Sequence, residues 1–76
     1  MSLEEAINQM QATIRTACAA AEMKVVRMSD EEARITVLAP ASDMQTIKDA
    51  AFQPALDFLN QAGLDIQVFV YEKQSG

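Results

Sequence analysis

The chain predicts an α+β fold: a two-layer α/β sandwich with element order α-β-β-α-β, both helices on one face of a three-stranded mixed sheet. Three observations carry that expectation. Helix-capping residues precede two stretches whose apolar residues recur at spacings of three and four. Two segments rich in β-branched residues flank a short acidic run. The final stretch, LDIQVFVYEK, alternates strictly between two sets of side chains.

The first helix is marked by Ser2 and Glu5, an S-x-x-E capping box. Leu3, Ile7, Met10, Ile14, Ala17 and Ala21 then lie along one face, with Ala6 and Cys18 widening it, and the pattern predicts a helix over about residues 3–22. A hairpin follows, with strands Met23–Met28 and Arg34–Ala39 joined by the polar SDEEA. In its second strand Ile35 and Val37 face one way and Arg34, Thr36 and Leu38 the other.

Pro40 ends that strand, and Ser42 with Gln45 repeats the capping signature. A second helix then runs through Met44, Ile47, Ala50 and Ala51. Pro54 predicts either a kink near Phe52 or a split into two helices, because proline lacks an N–H and disfavours α geometry in the residue before it. Ala55, Phe58, Leu59 and Ala62 continue the apolar stripe, and Gly63 is placed to terminate the helix. The third strand spans Leu64 to about Glu72. At 76 residues the chain forms one small domain, 1–76, with 73–76 expected as a frayed tail.

This element order resembles a ferredoxin-like sandwich without its first strand, and the small ring-building domains of bacterial secretion and sporulation assemblies. It also approximates type II KH domains. Those clamp nucleic acid with a GXXG loop, whereas the glycines here are Gly63 and Gly76.

Composition narrows the chemistry. The net charge of −5, with six basic residues scattered along the chain, argues against nucleic acid as a partner. No apolar run approaches the roughly 18 residues of a membrane span, so no membrane partner is expected. The early acids of MSLEEAINQM and the single cysteine point to a cytoplasmic protein without a signal peptide. There is no histidine, no second cysteine and no glycine-rich loop, so no catalytic residue, metal ligand or cofactor site is expected, and the chain reads as non-enzymatic. Cys18 on the helix stripe reads as a buried, inert thiol. Met10 and Met44 read as core, whereas Met28 ends a strand and fits either face.

The informative feature is the last strand. Leu64, Ile66, Val68 and Val70 form a core face, while Asp65, Gln67, Phe69 and Tyr71 form the opposite one. Two of the four aromatics thus point away from the helices, beside Thr36, Leu38 and one of Val25 or Val26. That is more apolar surface than a solvated sheet face normally shows, unless the C-terminal tail covers it.

The first expectation is therefore a protein–protein interaction module, a homodimer or an adaptor or regulatory subunit of a larger assembly. It uses the outer sheet face or a sheet edge, with Phe69, Tyr71, Leu38 and Thr36 at the interface and Arg34 and Arg27 on its rim. Arg15, Arg27 and Arg34 gathered into an anion site is the competing reading of those arginines. The second expectation is an acidic inhibitor that imitates a polyanion through Asp30, Glu31 and Glu32, with Glu4 and Glu5. The third is a small-molecule-binding regulatory domain.

Overall fold

A computed structural model describes residues 1–73, in the order α1 (Leu3–Ala17), β1 (Glu22–Arg27), β2 (Glu32–Ala39), a 3-10 turn (Ala41–Asp43), α2 (Met44–Ala62) and β3 (Asp65–Glu72). The sheet order is β1-β2-β3, with β1 antiparallel to β2 and β2 parallel to β3. This is the predicted α+β arrangement. β2 is central, and the long connection through α2 is what permits a parallel pairing of β2 and β3.

Core positions follow the two periodicities. α1 buries Leu3, Ala6, Ile7, Met10 and Ile14, and β2 buries Ala33, Ile35, Val37 and Ala39, every second residue. Ile47, Ala51 and Phe58 of α2 close the core over Ile66, with Met23, Val25, Val68 and Val70 packed at its margin. Full burial of a side chain such as Ile35 contributes roughly 1.5–3 kcal/mol relative to leaving it in water.

The ends of α1 show one confirmation and one correction. Glu5 donates its N–H to Ser2 Oγ at 3.2 Å, and Ser2 Oγ donates to Glu5 Oε1 at 3.2 Å, so this capping box closes through the two side chains. The helix stops at Ala17, five residues before the sequence pattern does. Cys18 takes an extended conformation (φ −152°, ψ 102°), and a turn in which Ala21 donates to the Cys18 carbonyl leads into β1. Cys18 and Ala21 are buried, so they keep the stripe's apolar character outside the helix. Pairing of Glu22 with Leu38 requires the chain to be extended by then, and the ladder prevails over the alanine run.

The second helix start is also corrected. Asp43 donates its N–H to the Pro40 carbonyl at 2.9 Å, which winds residues 41–43 into a 3-10 turn with Ser42 inside it. Ser42 therefore caps nothing; Asp43 occupies the cap position without a side-chain bond, and Gln45 instead donates to Asp49. One helix runs from Met44 through Pro54 to Ala62, not two. Gly63 ends it in the left-handed region (φ 67°, ψ 25°), donating to the Leu59 carbonyl at 3.1 Å, while Leu64 donates to that of Phe58. These bonds satisfy carbonyls a helix end leaves open.

The strands begin one residue earlier (β1), two earlier (β2) and one later (β3) than the sequence suggests. In the hairpin, Met28 and Ser29 both donate to the Glu32 carbonyl. Lys73 is no part of a frayed tail: its N–H donates to the Ala39 carbonyl at 2.7 Å and its Nζ lies 2.9 Å from Glu22. The rest of that predicted tail, and its possible cover over the aromatics, lies outside the described residues.

Candidate functional site at strand β3

The sheet face turned away from the helices is laid out by the strand register. Across β1, β2 and β3 it reads Glu22, Leu38, Tyr71; then Lys24, Thr36, Phe69; then Val26, Arg34, Gln67. Val26, not Val25, is the outward valine. Val26, Leu38, Phe69 and Tyr71 are all exposed, from 39% for Leu38 to 53% for Tyr71. Leu38 is the direct neighbour of Tyr71, and Thr36 of Phe69. The four predicted interface residues of the outer face thus form one continuous patch.

Polar groups frame it. The Arg34 guanidinium carbon is 5.1 Å from the centre of the Phe69 ring, within cation–π range. Lys73 and Glu22 pair across the sheet on one side. On the other, Gln67 Nε2 donates to Glu32 Oε2 at 2.7 Å and to Asp65 Oδ2 at 3.2 Å. Glu32 and Asp65 are register partners, so two carboxylates stand side by side with one amide between them.

Arg27 lies elsewhere. It opposes Ala33, shares the helix-facing side of β1 with Met23 and Val25, and pairs with Glu4 of α1. Arg27 and Arg34 are therefore on opposite faces, and Arg15 stands on α1, so the three do not form an anion site. Among the acids, Glu4 is engaged by Arg27 and Glu5 by the α1 cap, while Asp30 and Glu31 stay solvated at the hairpin tip. Cys18 is buried, with Sγ 3.4 Å from Asp43 Oδ2, and Met10 is fully buried; Met44 is partly buried and Met28 exposed.

A second apolar surface adjoins the first and is absent from the sequence reading. Phe52 (67% exposed), Leu56 and Leu59 project from α2 beside the edge of β3. With Ala51, Ala55, Ile66 and Val68 they line a groove of about 310 Å³ that Lys48 and Asp65 also border. Its signal is the width of the apolar arc. Ile47, Ala51 and Phe58 mark the core direction, but Phe52, Leu56 and Leu59 carry the arc around roughly half the helix circumference, well beyond the stripe a one-sided helix needs.

β3 lies between these two surfaces and is itself an edge strand. Asp65 donates its N–H to the Glu31 carbonyl and Lys73 to that of Ala39, so the odd residues of β3 bond to β2. The N–H and C=O groups of Ile66, Val68, Val70 and Glu72 consequently point to the open edge. Among the described residues no group of histidine, cysteine, aspartate and glutamate side chains is arranged to hold a metal ion, and no helix is long and apolar enough to cross a membrane. No family model, curated protein or solved structure matches the chain.

Proposed function

We propose that the chain is a protein–protein interaction module, acting as a homodimer or as a subunit of a larger assembly, with β3 at the centre of its docking surface. One observation carries this reading: the open edge of β3 is bordered on both sides by exposed apolar side chains, Leu38, Phe69 and Tyr71 on the sheet and Phe52, Leu56 and Leu59 on α2. A domain of 76 residues has a small core, and so much uncovered apolar surface beside an unpaired strand is a liability unless a partner covers it. Backbone groups along the edge supply affinity, and the flanking apolar side chains supply fit.

The test is chemical cross-linking of the tagged chain in its host cell, with wild type beside Phe69→Asp/Tyr71→Asp. The reading predicts a cross-linked adduct, with itself or another protein, that the double variant loses while its circular dichroism is unchanged. An adduct that persists in the folded variant, or no adduct in either, contradicts it.

A further inference from the structure

We propose that the occupant of the β3 edge is a second copy of this chain, whose own β3 adds antiparallel about a two-fold axis passing at Phe69. This rests on the docking reading above and names its partner. The two sheets then join into one, with all helices on a single face and the Phe52, Leu56 and Leu59 side chains of both copies meeting above the seam.

Charge complementarity selects this partner and its register. One end of β3 carries Asp65 beside Glu32, two carboxylates held together by the Gln67 amide. Among the described residues the ion pairs are Arg27–Glu4 and Lys73–Glu22, so neither carboxylate is ion-paired within the chain, although Lys48 borders the same groove as Asp65. The other end of the strand carries Lys73, whose ammonium has three donors and uses one on Glu22. A two-fold axis brings each Lys73 to the other copy's Asp65, twice per dimer. A copy is thus the partner whose charge pattern is guaranteed to match, because the strand is self-complementary end to end.

The backbone agrees with that register. Faces are preserved only when residues of equal parity oppose one another. Setting Asp65 against the partner's Lys73 sets Gln67 against Tyr71, Phe69 against Phe69 and Val68 against Val70. The open groups of Ile66, Val68, Val70 and Glu72 then fall in the hydrogen-bonded pairs, and Phe69 in a non-hydrogen-bonded pair on the axis. A shift by two residues in either direction keeps the ladder but places Asp65 or Lys73 opposite Tyr71 or Gln67, and both ion pairs are lost. The opposite edge, β1, is shorter and carries Lys24 mid-strand, a charge of the kind that discourages edge pairing.

The register makes a sharp cross-linking prediction. Opposed residues of a non-hydrogen-bonded pair have Cα atoms about 4.5 Å apart, inside the roughly 4.4–6.8 Å a disulfide spans. Purified wild type should show twice the 8.3 kDa chain mass by light scattering. Phe69→Cys should oxidise to a covalent dimer, and Gln67→Cys/Tyr71→Cys should do so with Phe69 intact. Thr36→Cys, mid-face on the central strand, and wild type, with its buried Cys18, should not. Asp65→Lys and Lys73→Asp should each weaken the dimer by between about twofold and thirtyfold, and the double swap should restore it.

A monomeric wild type overturns self-pairing, as does Thr36→Cys cross-linking as readily as Phe69→Cys, or a charge swap without recovery. If the purified chain is monomeric while the cellular adduct still depends on Phe69 and Tyr71, self-pairing fails and docking stands. If that adduct is missing as well, docking itself fails.

Discussion

Arg34 and Phe69 are diagonal neighbours on adjacent parallel strands, with the guanidinium 5.1 Å from the ring centre. The contact favours the ring position in which its face lies against the guanidinium. It also orients the one aromatic that the proposed two-fold axis crosses.

For an exposed cation–π pair the coupling is worth about 0.5–1 kcal/mol. Arg34→Ala should therefore lower stability by roughly that amount, and the loss should vanish in a Phe69→Ala background. Denaturant unfolding of the four members of the cycle, at a concentration where all are monomeric, measures it. Equal losses in both backgrounds would show that the two groups are uncoupled.

Gly63 terminates α2 at φ 67°, with open space where a Cβ would stand. The cost of replacing it is therefore purely conformational. Gly63→Ala should destabilise by about 1–2 kcal/mol, and Gly63→Asn by less, since asparagine tolerates this region. Thermal unfolding of the two variants should rank them in that order.

Pro54 sits inside a continuous helix, where it has no N–H for the carbonyl one turn back. Pro54→Ala should stabilise the chain by roughly 2–2.5 kcal/mol, the helix-interior gain of about 3 kcal/mol being reduced by about 0.4–1 kcal/mol through the looser unfolded chain. A loss of stability on this change would mean that the ring's packing outweighs the missing bond.

Phe52 is 67% exposed and Ile35 fully buried, so the two should part cleanly. Phe52→Ser should change monomer stability by no more than about 0.5 kcal/mol yet weaken self-association. Ile35→Ala should cost about 2–5 kcal/mol of stability. Unfolding and concentration-dependent light scattering together separate these effects.

The helical and strand periodicities sufficed for the fold because each core face repeats cleanly: Leu3, Ile7, Met10 and Ile14 on α1, and Ile35 and Val37 on β2. The outer patch of Leu38, Phe69 and Tyr71 was legible for the same reason, since strand alternation alone assigns its side. What escaped were features set by tertiary pairing. Arg27 follows a hairpin register that no local pattern specifies, and it turns toward Glu4. Ser42 was displaced from its cap by a tight turn after Pro40, and α1 yielded Cys18–Ala21 to the turn that leads into β1. The α2 stripe was hidden because Phe52, Leu56 and Leu59 continue the core arc, and only the position of β3 shows that they overhang its edge.

The most direct measurement is amide hydrogen exchange along β3 as a function of protein concentration. Phe69 and Tyr71 bond to β2 and should be protected at every concentration, whereas Val68 and Val70 point to the open edge. Edge pairing predicts that Val68 and Val70 become protected as the chain dimerises and lose that protection on dilution. If they exchange as freely as solvated amides at concentrations where Phe69 is protected and the chain is a dimer, the copies meet somewhere other than the β3 edge.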